Sequence, residues 1–160
     1  MTDKTFHLVV RFSDNLFSVG DVVEKHNHVV AKVGYVWFGK IGQTISQNRI
    51  DLLNAQIAKS IPTYAYLVKG NRKKSTFYRA NLLGISKDLT KEEKKFVPAY
   101  YAEAKLLKYM ATWMKISNIE PIEISTISNL KTINSVYPLE ESLVRSSSGY
   151  FFVHESKNLF

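Results

Sequence analysis

The chain contains no cysteine, and this absence excludes a disulfide scaffold, a thiol nucleophile and a thiolate zinc site together. It also fits a reducing compartment, so a cytoplasmic location is expected. No apolar run approaches the roughly 20 residues that a membrane helix needs, and the polar start Met1-Thr2-Asp3-Lys4 is not a signal peptide. Common catalytic motifs are missing as well. There is no Gly-x-Ser-x-Gly elbow and no Gly-x-x-x-x-Gly-Lys-Ser/Thr phosphate loop. Gly39-Lys40-Ile41-Gly42-Gln43-Thr44 has neither the glycine spacing nor the Lys-Ser/Thr pair of such a loop. The acids Glu120, Glu123, Glu140 and Glu141 show no spacing that asks for paired catalysis. His26 and His28 form a His-x-His pair, which suits a metal only on a strand and with a third ligand that no His-Glu-x-x-His pattern supplies. The letters His26-Asn27-His28 lie in a valine-rich segment, not in the ββα-metal setting of an HNH nuclease. No metal, no cofactor and no catalytic constellation are expected.

What the chain does contain is an ordinary globular composition with a basic excess. Its 160 residues argue for one domain, 1–160, with a single core. Hydrophobic residues make up 45% and charged residues 22%, which sets it apart from a disordered chain. Lys and Arg number 22 against 14 Asp and Glu, for a net charge of +8, and that excess favours a polyanionic partner. Nine Tyr, nine Phe and two Trp add rings on which unstacked bases can lie.

Taken in order, Phe6-His7-Leu8-Val9-Val10-Arg11-Phe12 reads as a strand ended by the turn-like Ser13-Asp14-Asn15. A helix is expected between Val19 and Val33, with Gly20-Asp21 at its head. Thr63 to Val68 and Thr76 to Ser86 read as a hairpin around Lys69-Gly70-Asn71-Arg72-Lys73-Lys74-Ser75. That tip is either a solvated turn or a phosphate-tracking finger. Lys87 to Lys95 is a charged connector, and Ala102 to Tyr109 is expected to be helical. Thr112-Trp113-Met114-Lys115-Ile116 is a further strand, 119–134 is irregular, Pro138 to Leu143 is a short helix, and Tyr150 to His154 is the last strand. The whole is a mixed α+β domain of about six strands, with a partly closed barrel as the expected shape.

The stretch Gly34 to Gln56 organises the rest. A short aromatic strand, Tyr35-Val36-Trp37-Phe38, is expected to break at Gly39 and Gly42. Ser46 then caps a helix whose buried face is Ile50, Leu53 and Ile57. Trp37 at a strand end beside a glycine loop and a helix N-terminus has two readings. It plugs the core, or it offers a face to a flat, polar-edged ring.

Gly34-Tyr35-Val36-Trp37 followed by Ser46-Gln47-Asn48-Arg49-Ile50-Asp51-Leu52-Leu53-Asn54 resembles the modified-base readers of the PUA-like superfamily, in its YTH and EVE branches. Val36-Trp37-Phe38-Gly39-Lys40-Ile41-Gly42 with Ile61-Pro62-Thr63-Tyr64 is similar to the EVE-like N-terminal domains attached to McrB-type GTPases and related restriction nucleases. Phe77-Tyr78-Arg79-Ala80, Val97-Pro98-Ala99-Tyr100-Tyr101 and Trp113-Met114-Lys115-Ile116 follow in that family's order. The resemblance implies a PUA-like barrel flanked by helices, forming the N-terminal module of a larger restriction protein. Its partner would be double-stranded DNA, with a methylated base flipped into an aromatic cage and an attached or associated GTPase or nuclease as effector.

The resemblance makes Trp37 the first cage wall and Tyr100 or Tyr101 the second, with Trp113 the alternative. Phe38 stands where a small polar residue follows the cage Trp in the YTH branch. Ser46, Asn48 or the backbone of Trp37 to Ile41 would then meet the base edge. Lys40, Lys69, Arg72, Lys73, Lys74 and Arg79 would hold phosphates. The competing expectations are an RNA reader of the PUA/YTH kind and a small hydrolase of the ASCH branch, which would need Lys40, Thr44 and a glutamate to converge. A plain interaction domain whose aromatics are all core is the remaining possibility.

Overall fold

A computed structural model describes residues 4–13, 21–42, 44–70, 75–133, 138–145 and 149–155, with the side chains at 140, 144 and 145 excepted. Among the described residues, eight strands and four α-helices follow one another in the order β1 (Phe6–Phe12), α1 (Val22–Val33), β2 (Val36–Ile41), α2 (Gln47–Ala58), β3 (Tyr64–Gly70), β4 (Ser75–Ser86), α3 (Tyr100–Glu103), β5 (Met110–Ile116), β6 (Glu120–Ile122), β7 (Leu130–Thr132), α4 (Leu139–Arg145) and β8 (Tyr150–Glu155). The strands form one mixed sheet in the order β2-β5-β4-β3-β1-β8-β7, with β6 added to β4. Among the described strands only β1 and β3 run parallel, and α1, β2 and α2 make the connection between them. The count of about six strands is corrected upward by β6 and β7. Each has three residues, too few to imprint a period-2 pattern on the stretch that reads as irregular.

Two further expectations shift. β2 does not break at Gly39 but runs on to Ile41, because Gly39 faces a crowded neighbour across the ladder. A Cβ there would stand 2.6 Å from Met110 Sδ and 2.9 Å from the Trp113 ring. The helix expected from Ala102 to Tyr109 is only the short α3. The chain leaves it through Lys105 at φ 58° and makes a tight 3-10 turn at Leu107–Tyr109.

The caps are local and legible. Asp21 accepts from the Glu24 N–H at 3.0 Å, and Ser46 accepts from the Arg49 N–H at 3.4 Å. Gly34 ends α1 in the left-handed region at φ 92°. What fastens the helices to the sheet is not local. Asn27, Asn54 and Gln56 each use a side-chain amide as a stand-in strand edge. Asn27 donates to the Ile119 carbonyl and accepts its N–H, at 2.9 and 2.7 Å. Asn54 does the same to Ile85 at 3.0 and 3.1 Å, and Gln56 to Phe6 at 2.8 and 3.0 Å. Each amide satisfies two backbone groups that the sheet leaves over.

The sheet is not closed by hydrogen bonds. β2 lies at one edge, four places from β1 and five from β8, yet side chains meet across the opening. Phe38 packs edge-on against Phe12 at 5.9 Å, and the Lys40 ammonium lies 5.0 Å from the Tyr150 ring centroid. The main core covers one face of the sheet, built from Leu8, Val10, Phe38, Ile50, Leu53, Leu67, Met114 and Phe152 among others. A second cluster around Val9, Tyr66, Leu130 and Leu139 covers the opposite face.

Candidate functional site

The alternation of β2 sorts its side chains into two environments. Val36 and Phe38 join the main core, and Lys40 leaves on the same side. Trp37 and the bare α-carbon of Gly39 face a separate cluster with Trp113, Leu89, Leu106 and Tyr101. That second cluster is buried. Trp37 is 8% exposed and Trp113 4%. The Trp37 indole N–H donates to Glu93 Oε2 at 2.7 Å, and the Tyr35 hydroxyl donates to the same oxygen at 3.1 Å.

Beside it, where β2 fails to pair with β1, lies an open pocket of about 220 Å³. Its walls are Phe12, Phe38, Tyr100 and Tyr101, with Val10, Val22, Leu106 and Met110 filling between them. Arg11 and Lys40 are its cations, and no carboxylate lines it among the described residues. The volume is below the range of about 300–1,000 Å³ that drug-sized ligands occupy, and it matches a single flat ring better than a chain. Arg11 is held in place by donating to the Leu143 carbonyl, with its guanidinium 5.6 Å from the Phe151 centroid. Lys40 donates to the Ile41 carbonyl at 3.2 Å, and desolvation lowers its pKa below the usual lysine value.

A buried relay fixes the wall between the two environments. His26 is fully buried on α1, and its Nδ1–H donates to the Val22 carbonyl at 2.7 Å. Since a carbonyl only accepts, Nε2 is the acceptor of the neutral ring, and the Tyr101 hydroxyl donates to it at 2.9 Å. Tyr101 Oη in turn accepts the Gly39 N–H at 3.0 Å, which caps a backbone donor of the edge strand. Burial drives the His26 pKa down to about 4 and raises that of the Tyr101 phenol, so both rings are neutral near pH 7. His26 also stacks on Phe38 at 4.4 Å, behind the pocket.

The expected site residues therefore divide. Phe38, Tyr100, Tyr101 and Lys40 converge on the open pocket. Trp37 and Trp113 do not line it; their cluster meets it through Leu106 and Tyr101, and the Tyr101 ring is 5.5 Å from Trp113. Ser46 is spent as the cap of α2, and Asn48 is exposed on that helix. Neither lines the pocket. Lys69 lies 5.8 Å from the Tyr78 centroid and Arg79 4.5 Å from that of Tyr64, on the neighbouring strands β3 and β4. Arg72, Lys73 and Lys74 fall outside the described residues. Among the described residues, Lys40 and Thr44 do not converge with a glutamate. Thr44 is exposed and sits by Thr112 at 3.4 Å, away from the pocket lining. His26 and His28 lie on a helix, not a strand, and His28 opens onto a different, polar cleft with Asp21, Glu24, Lys25 and Glu103.

Sequence reasoning did not single out Phe12, Arg11 or Glu93. The first two read as the end of a strand, and nothing local says that this end faces β2. Glu93 lies in a charged run and carries no signal that one of its acids turns inward.

A profile of the Pua-like family matches residues 8–156, nearly the whole chain. The chain belongs to the Pua-like family. The mixed sheet and few helices agree with that membership, and the match begins in β1 and spans all the elements that build the pocket. No curated protein and no solved structure gave a significant match.

Proposed function

We propose that this PUA-like domain is a non-catalytic module that binds nucleic acid and holds one base, rotated out of the stack, in the pocket between β1 and β2. The observation that carries the reading is the pocket itself, ring-sized and walled by Phe12, Phe38, Tyr100 and Tyr101 with cations at Arg11 and Lys40. PUA-like domains generally bind nucleic acids, which supports a base as the ring in question. Unstacking a base costs a few kcal/mol, and stacking on aromatic side chains returns about 1–3 kcal/mol per base. The net charge of +8 supplies a salt-dependent attraction to phosphate, to which Lys69 and Arg79 would contribute.

The finer reading makes the base a methylated one in double-stranded DNA and the module the targeting part of a McrB-type or related restriction protein. It rests on the resemblance of Val36 to Gly42 and of the later motifs to EVE-like domains. A methyl group adds about 0.8 kcal/mol when fully buried in a dry pocket, so discrimination by one site is modest. Repeated sites or an assembled effector would amplify it. Fully engaged nitrogens on His26 and the lack of a carboxylate among the described lining residues weigh against a hydrolase.

The test is a binding titration with matched duplexes carrying no modification, methylcytosine or methyladenine, repeated with Tyr100→Ala. Tighter binding to one modified duplex, lost in the variant at unchanged fold, supports a base-flipping reader. Equal salt-sensitive binding to all three duplexes returns the pocket to a passive role, and tighter binding to a single-stranded RNA than to its DNA counterpart redirects the reading to RNA. No binding to any of them overturns it.

A further inference from the structure

The pocket has a rim as well as walls, and beside it stands the most exposed large apolar side chain among the described residues. Tyr109 is 57% exposed and Ile41 37%. They belong to facing strand ends. Ile41 closes β2 and pairs with Met110, which opens β5 directly after Tyr109. Ile41 and Met110 line the pocket, as does Leu106 three residues before Tyr109. Single exposed apolar residues are ordinary, but these two adjoin one ring-sized pocket.

Tyr109 is held in place from both sides. The Leu106 N–H donates to the Tyr101 carbonyl at 2.8 Å, and the Tyr109 N–H donates to the Leu106 carbonyl at 2.9 Å. After it, Met110 packs over the bare α-carbon of Gly39, where a Cβ would stand 2.6 Å from its sulfur. The backbone under the ring is thus fixed relative to the pocket wall, and little freedom is lost when the ring is covered. Its surroundings are cationic. Lys108 places its ammonium 5.1 Å from the Tyr109 centroid, and Lys105 is exposed just before the same turn. Residues 36–50 and 104–116 carry Lys40, Arg49, Lys105, Lys108 and Lys115 but no Asp or Glu, in a chain with 14 acids. An exposed ring among cations suits a polyanion that also offers flat apolar surface, and a stack of bases is both.

Resting on the flipped-base reading, we infer that Tyr109, flanked by Ile41, enters a DNA duplex at the step from which the base is drawn and fills the gap with its ring. Drawing a base out breaks its stacking on both neighbours. A flat ring in the vacated step restores contact to them, as apolar wedges do between base steps in duplex-kinking proteins. The pocket rewards the departing base and the rim fills what it leaves, so the preferred partner is a duplex and not a single strand.

The experiment uses the whole chain and fluorescence anisotropy with two otherwise identical DNA duplexes. One is fully paired. The other carries two abasic sites facing each other at its centre, so it holds a gap and no base to flip. The gapped duplex is expected to bind about tenfold tighter than the paired one, the scale of one stacking contact. Tyr109→Ala should erase that gain and Tyr109→Trp should keep it, both at the native urea midpoint because the ring lies largely in solvent. A 2-aminopurine placed beside the gap should lose fluorescence when the native chain binds, a reading that needs no variant.

No gain at the gap overturns the inference, and so does a gain that survives in Tyr109→Ala or an unchanged 2-aminopurine signal. An equal loss in Tyr109→Ala for gapped duplex, paired duplex and single strand makes Tyr109 a general contact and overturns it as well. The flipped-base reading is decided separately by the modified duplexes, since the gapped probe offers the pocket no base. A gain at the gap with no preference among modified duplexes therefore supports Tyr109 and sinks the pocket, and the reverse result sinks Tyr109 alone.

Discussion

Trp37 and Phe38 are neighbours in sequence and both are buried, yet they serve different surroundings. Trp37 lies with Trp113, Leu89 and Leu106 in a buried cluster, its indole N–H spent on Glu93. Phe38 is covered from behind by His26 and from the side by Phe12, and its remaining surface lines an open pocket. Tyr101 belongs to both regions, and its hydroxyl ties the edge of β2 to α1. An aromatic residue becomes a candidate ligand wall less by its type than by what packs on its far side. The Trp37 cluster holds the two indoles, and the pocket is lined by Phe12, Phe38, Tyr100 and Tyr101.

The comparison breaks most decisively at Trp37. Trp37→Ala should cost about 3–5 kcal/mol of stability, the usual loss for emptying a large aromatic site, read as a lower urea midpoint. Binding measured under conditions where the variant remains folded should stay near the native value. A variant that keeps its urea midpoint but loses binding would move the ligand site to the Trp37 side.

Acid should test the shared wall. The unfolded chain protonates His26 near pH 6.5 and the folded chain only near 4, so the stability this histidine contributes is complete above pH 6.5. It is lost as pH falls from 6.5 toward 4, by up to about 3 kcal/mol. His7 works in the same direction. It is buried, accepts the Tyr64 N–H at Nδ1 and donates to Glu155 from Nε2, and burial lowers its pKa. Urea unfolding at pH 7 and pH 4.5 should show the loss, and His26→Gln should flatten that slope. A slope unchanged in His26→Gln would assign the loss to other groups.

Tyr100 should separate the regions in the opposite sense to Trp37. It is half-buried and lines the pocket, so Tyr100→Ala should weaken nucleic-acid binding about tenfold to a hundredfold with a smaller fall in urea midpoint than Trp37→Ala. Equal stability losses in the two variants would remove the distinction. The smallest effect belongs to Glu93→Gln, which keeps an acceptor for Trp37 and Tyr35 but removes its charge. About 1 kcal/mol of stability should be lost, with no change in binding.

The sequence by itself determined a good deal. The extents of β1, α2 and β4, the Ser46 cap and the hairpin of β3 with β4 follow from local periodicity and turn chemistry, because those signals act between residues a few positions apart. The order of motifs also carried the PUA-like family, which the match over residues 8–156 bears out. Other features had no local signal. β6 and β7 are too short to announce themselves, and the helical reading of 102–109 failed where Lys105 turns the chain. Which side of β2 is open depends on where the sheet stops pairing, and that is decided by β1 and β8, far away in sequence. The same holds for Asn27, Asn54 and Gln56, whose amides complete backbone bonds of distant strands, and for Glu93, whose carboxylate finds an indole 56 positions away. Side-chain types and alternation are written along the chain, but burial and partnership arise only when separate stretches meet. The tertiary structure therefore decided that Phe38 and Tyr100 face a cavity while Trp37 does not.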